Sequence, residues 1–147
     1  MTVDRIIHLA VGVVFFILFL RLAKTSYELK LLILGGITMA VGTWMPDWDL
    51  WLGIGYHRSP LTHSALPALL FGLFVFKTKR YPILVVGFCL GLASHLFWDI
   101  IAYGNVHWIK GGNNDRLFLF VNALLLIIAA VMMHYKYLIS SSFQRSG

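Results

Sequence analysis

Residues 82–103 read PILVVGFCLGLASHLFWDIIAY. A proline opens the stretch, and no Lys, Arg or Glu interrupts it. Its apolar residues run continuously instead of recurring every three or four positions, which describes a helix greasy on all sides. About 20 such residues, rising about 1.5 Å each, cross the hydrocarbon core of a bilayer. Two residues depart from the pattern, His95 and Asp99. Four positions apart, they share one helix face and can grip a common partner. Insertion scales charge about 2.5–3.5 kcal/mol for an ionised group at a helix centre, so a span that keeps such a pair has a use for it.

The rest of the 147 residues follows the same style. The chain is 59% hydrophobic and 12% charged, about half the charged share of a soluble domain. The apolar runs predict an all-α polytopic membrane protein, a single transmembrane domain over 1–147. About five spans are expected, at 6–22, 29–44, 61–76, 82–103 and 117–137. At 16 residues the third reaches only about 24 Å. Residues 50–56 are apolar but too few to cross, and read as an interfacial or re-entrant segment. Trp44, Trp48 and Trp51 around it suit the headgroup level.

The net charge of +6 sits between the apolar runs and not on a basic face, so no nucleic-acid partner is expected. Cys89 is the only cysteine, which rules out an intrachain disulfide and a cysteine-rich zinc site. The apolar stretch after Ile6 is followed by Arg21 and Lys24 instead of a small-residue cleavage site, so it reads as a span and not as a leader.

Five spans put the termini on opposite sides. Arg21, Lys24, Lys30, Lys77, Lys79, Arg80, Lys136 and Arg145 fall on one side, against Arg5, Arg58, Lys110 and Arg116 on the other. The first side is the expected cytoplasmic one, with the C-terminus there. On that topology His8, Asp47, Asp49, His57, His63, His95 and Asp99 all converge on the extracytoplasmic face, although nothing in selecting them required it. His134 falls at the opposite end.

Those seven residues are the candidate metal ligands. Imidazole and carboxylate suit zinc, with manganese or iron as alternatives, and mixed sets can leave a coordination position open. One or two divalent ions are expected. Pro46 ends the second span, so Asp47 and Asp49 lie in an extended or turning segment, where one can ligate while the other orients a histidine. Thr62 and Ser64 flank His63 as hydroxyl donors. Arg58 has the planar fork that fits phosphate or carboxylate. Asp49, Arg58 and Asp99 are the candidates for catalytic roles, in hydrolysis assisted by a metal and its activated water. Each residue also has a plainer reading: His8 as an interfacial side chain, the Asp47/Asp49 pair as loop carboxylates, His57-Arg58 as headgroup contacts, His63 as a helix-start residue facing water, His95/Asp99 as a packing pair. Gly35-Gly36 and Gly87-x-x-x-Gly91 read as close helix contacts.

His8, Met45-Pro46-Asp47-x-Asp49, His57-Arg58, Thr62-His63-Ser64 and His95-x-x-x-Asp99 together resemble the YdjM-like family of inner-membrane metal-dependent hydrolases, also described as LexA-binding. The resemblance runs from His8 to about Asn105, with Ser59 where the family has a small residue after His-Arg. The order is also similar to a reduced form of the zinc-dependent phospholipase C and single-strand nuclease site. That likeness implies one ion held by Asp47 or Asp49 with His63 and His95, and a second held by His8 with Asp99 bridging. The pair needed for a third ion is missing.

The resulting expectation is a hydrolase of the bacterial or archaeal inner membrane, acting on a phosphoester of a lipid or lipid-linked substrate. Its expected partners are membrane lipids and further copies or a larger membrane complex. The rival expectation is a non-enzymatic membrane subunit or scaffold whose His/Asp cluster is structural or binds a partner. An ion-translocating protein ranks below both, because a path needs polar residues at several depths and the cytoplasmic halves of the spans look clean away from their ends.

Overall fold

Every regular element among the described residues is helical, as uninterrupted apolar runs require where backbone groups must pair within their own segment. The computed structural model describes residues 2–24, 27–53, 55, 57–76, 82–107 and 113–145. The elements are α1 (Thr2–Ala23), α2 (Leu29–Trp44), a 3-10 helix (Pro46–Leu52), α3 (Leu66–Phe76), α4 (Pro82–Ala102) and α5 (Asn113–Arg145). The cations Lys77, Lys79, Arg80 and Lys110, the loop glycines Gly111 and Gly112, and Ile54 and Tyr56 of the expected interfacial segment lie outside the described residues.

Helix α4 is the axis of the molecule. Its side chains from Val85 to Leu96 are all buried, and α1, α2, α3 and α5 pack around it. Small residues let the backbones of α2 and α4 touch. A Cβ added to Gly91 would stand 2.0 Å from the Met39 carbonyl oxygen, and one on Gly87 would stand 2.1 Å from that of Gly35. In turn, a Cβ on Gly42 would meet the Phe88 carbonyl oxygen at 2.3 Å. Gly36 is different, with nothing within 4 Å. The close pair is therefore Gly35 with Gly87, and dispersion between two backbones replaces side-chain packing there.

Polarity is inverted relative to a water-soluble bundle. Val14, Leu18, Phe74, Leu124 and Ile128 face outward, while His8, Asp49, His63, His95 and Asp99 are buried. Three helices, Val3–Ala23, Pro82–Ala102 and Asn114–Lys136, are long and apolar enough to cross a membrane. Leu29–Trp44 and Pro46–Leu52 form a pair bent by 46°, which counted as one span would make a fourth. These features are those of a membrane protein.

The expected third span is shorter than the sequence suggested. Helix α3 begins at Leu66 and not at residue 61, and its 11 residues reach only about 16 Å. The reason is local. Residues 59–65 are drawn into turns by the His63 N–H to Ser59 carbonyl bond at 2.9 Å and by Asn122, whose Oδ1 accepts the Ala65 N–H at 2.8 Å. Helix α1 starts four residues before the expected span, which brings Asp4 and Arg5 onto it.

Gly91→Leu is expected to cost at least about 3 kcal/mol, because overpacking against backbone cannot be relieved by a rotamer change. Gly36→Ala, open on all sides, should be neutral or slightly stabilising. Unfolding of both variants in detergent, followed by circular dichroism, checks the contrast.

Candidate metal centre

Helix α2 stops at Trp44 because Pro46 has no N–H to continue it. The Thr43 carbonyl lies in the last turn of α2, and His95 Nδ1 donates to it at 2.7 Å. A carbonyl only accepts, so Nδ1 carries the proton and Nε2 of the neutral ring is a lone pair. That lone pair points at Asp99 Oδ2, 3.5 Å away.

His63 is oriented by a similar chain. Thr62 Oγ1 donates to Asp49 Oδ2 at 2.6 Å and lies 3.1 Å from His63 Nδ1, so it accepts the proton there. With the ring neutral, His63 Nε2 is then also a lone pair, and it too faces Asp99 Oδ2, at 3.4 Å. From the other side, His8 Nε2 stands 3.7 Å from Asp99 Oδ1, and Asp47 Oδ1 stands 3.9 Å from His95 Nε2. The His8 ring stacks on that of His95 with centroids 3.9 Å apart. One carboxylate thus sits among three imidazoles, all four groups almost wholly buried.

These separations exceed those of charge-assisted hydrogen bonds, about 2.7–2.9 Å. Asp99 Oδ2, His63 Nε2 and His8 Nδ1 are buried without a hydrogen-bond partner among the described residues. Buried polar atoms almost always have partners, so three in one cluster need a physical cause. Two donors on a tetrahedral ion, each about 2.05 Å from it, stand roughly 3.3 Å apart. The observed 3.4–3.9 Å is close to that spacing. His8, His95 and Asp99 form one group able to share an ion, and Asp47, His63 and His95 form another. His95 is common to both, so they make one continuous donor set.

Asp49 is engaged differently. Its Oδ2 accepts from Thr62 and from the Ser59 N–H at 3.1 Å, and its Oδ1 pairs with His57 Nδ1 at 3.1 Å. Burial works to raise its pKa, but the His57, His63, Thr62 and Ser59 hydrogen bonds outweigh it and hold the carboxyl well below the usual carboxylate range. Asp49 thereby organises the turn that carries His57 and His63, whereas Asp47 accepts no hydrogen bond from a described residue.

Arg58, at φ 61°, is tied to the loop after α4. Its guanidinium lies 3.6 Å over the Tyr103 ring and donates to Asn105 Oδ1. Tyr103 in turn donates to Asp4 Oδ1 at 2.9 Å, and Asp4 Oδ2 lies 3.6 Å from His8 Nε2.

All seven sequence-derived candidates therefore meet at one end of the bundle. His57 lies at the edge of the cluster, bonded to Asp49 and with its ring edge-on to that of His63 at 5.8 Å. His134, paired with Tyr27, is at the other end. Sequence reasoning missed Asp4 and Tyr103. For Asp4 a signal existed, since Asp4-x-x-x-His8 has the same spacing as His95-x-x-x-Asp99. For Tyr103 none did.

The DUF5942 family model, a domain of unknown function, matches residues 41–138 of the 147, and the chain belongs to that family. The match contains six of the seven candidates and leaves His8 outside. No curated protein and no solved structure matches the chain.

Asp49→Asn should lower stability by about 2–3 kcal/mol, the worth of hydrogen bonds to a buried charge. Asp47→Asn should cost less than about 1 kcal/mol. Denaturant unfolding of the two variants beside the parent measures the difference.

Proposed function

We propose that this member of the DUF5942 family is a membrane-embedded metal-dependent hydrolase acting on a phosphoester of a lipid or lipid-linked substrate. The observation that carries the reading is the acceptor-to-acceptor geometry at Asp99. Two imidazole Nε2 atoms, each with Nδ1 engaged elsewhere, face one buried carboxylate oxygen, and such an arrangement is favourable only with a cation, metal or proton, among them. Protons would serve that purpose too, but the donor spacing and the mixed nitrogen/oxygen set suit zinc or manganese.

His63, His95 and Asp99 are the central ligands, with Asp47 and His8 completing the set on either side. Asp99 presents one oxygen to His63 and His95 and the other to His8, so it would belong to the donor set of a second ion as well as of the first. Asp49 and the Thr43 carbonyl fix the rings of His63 and His95, a role whose loss commonly costs 10–100-fold in metal affinity or activity. A divalent ion held here supplies Lewis-acid polarisation of a phosphoryl oxygen and lowers the pKa of water. Asp49 and the Thr62 hydroxyl hold the proton on His63 Nδ1, keeping that ring in its ligating tautomer.

The reading includes five membrane passages, with α3 short and seated in a thinned or polar region, and the donor cluster on the extracytoplasmic face with the C-terminus in the cytoplasm. The resemblance to the YdjM-like hydrolases and to the phospholipase C type of site supports the reaction class. A site at a helix-bundle end, just inside an apolar exterior, fits a substrate whose tail stays in the bilayer.

The test is turnover. Purified protein stripped with chelator and reloaded with zinc or manganese would be assayed on phosphatidic acid, phosphatidylglycerol and an isoprenoid diphosphate. Metal-dependent release of phosphate or headgroup is expected from one of these, falling roughly 100-fold in Asp99→Asn. No turnover of any substrate by the reloaded protein would overturn the hydrolase reading in favour of a structural or partner-binding cluster.

A further inference from the structure

The larger cavity, about 600 Å³ between α3, α4 and α5, contains no candidate ligand. A smaller cleft of about 280 Å³ does. It lies between α1 and the 3-10 helix, lined by Arg5, Ile6, Trp44, Trp48 and Trp51, with Asp47 among its walls. Asp47 is the most exposed of the central donors, its side chain 15% accessible. Through Asp47 the cleft borders the donor cluster.

Its chemistry is amphipathic. Trp48 and Trp51 stack in parallel with centroids 6.1 Å apart, and Trp51 and Ile6 are 86% and 66% exposed. Exposed indoles beside long apolar helices belong at the headgroup level of a bilayer. The only cation in the lining is Arg5, whose guanidinium matches a phosphate group. Arg58, the arginine singled out from the sequence, is instead stacked on Tyr103 and bonded to Asn105. A carboxylate, an arginine and an aromatic wall in one cleft, opening where acyl chains begin, select a ligand with an anionic phosphate and an apolar tail.

We infer that the Arg5/Trp44/Trp48/Trp51 cleft is a phospholipid-headgroup site feeding the Asp47 side of the donor cluster, with Arg5 as its phosphate-binding residue. The inference deepens the proposed function and rests on it for the meaning of the site, but not for its detection.

Native mass spectrometry of the detergent-solubilised, chelator-treated protein tests it without metal or turnover. The protein would be titrated with phosphatidic acid and with phosphatidylcholine of the same chains. Phosphatidic acid should bind about fivefold more tightly, the worth of one arginine–phosphate contact near a membrane surface. Arg5→Gln should remove most of that preference, while Arg58→Gln and Arg116→Gln keep it. Trp48→Ala/Trp51→Ala should weaken both lipids. Glycerol 3-phosphate, lacking the tail, should not displace phosphatidic acid at equal concentration.

A preference unchanged in Arg5→Gln would overturn the assignment, as would no preference in the parent. Loss in Arg58→Gln instead would move the phosphate site to the Tyr103 side and equally overturn it. Displacement by glycerol 3-phosphate would show a soluble phosphate ester as the ligand and sink the lipid assignment. Selective binding combined with failed turnover would uphold the cleft and sink only the hydrolase reading. Arg5 is exposed on the first turns of α1, so its substitution leaves the core intact.

Discussion

Asp99 is the constraint around which the rest of the molecule is arranged. A carboxylate buried in a low-dielectric interior is costly unless compensated. Here α1 brings His8 to it, α4 brings His95, and the turn before α3 brings His63. Three elements distant in sequence are thus bound to one side chain. Two of the imidazoles are aimed by a further partner, Thr43 for His95 and Thr62 with Asp49 for His63, whereas Asp4 meets the same His8 nitrogen that faces Asp99. The aiming groups matter as much as the rings, because they decide which nitrogen keeps its lone pair.

The helix packing serves that arrangement. Glycines at 35, 42, 87 and 91 bring α2 and α4 into backbone contact. Without that approach the Thr43 carbonyl and His95 Nδ1 could not meet at 2.7 Å. The Pro46 break then turns the chain by 46°, so that Asp47 and Asp49 come back towards the cluster instead of continuing outward. A break in one helix and a close crossing of two thus create the geometry together.

Much of this was legible in the sequence, and the reasons are physical. Continuous apolar runs admit no element but a helix in lipid, so the helical class followed directly, and the second and fourth spans are found within a residue of their expected limits. The His95/Asp99 face followed from helical periodicity. Other features depend on tertiary contacts that no local pattern encodes. Helix α3 loses its first turn because Asp49, Ser59 and Asn122 hold residues 59–65 in turns. The division of labour between Asp47 and Asp49 likewise depends on which carboxylate meets Thr62. Arg5 escaped notice because an exposed cation near a helix start looks like topology until a cleft is seen beside it. Five passages were expected, yet three helices have the length and composition to cross alone, since composition marks a run as apolar without fixing where its helix starts.

The central claim is that a cation of the size and preference of a divalent metal belongs between Asp99 and its three imidazoles. Elemental mass spectrometry of the detergent-purified protein, beside His95→Ala/Asp99→Asn, tests it most directly. The parent should carry about one or two equivalents of zinc or manganese, and the double variant close to none. Metal absent from both proteins, even after supplementation during growth and purification, would contradict the claim and leave protons to hold the cluster together.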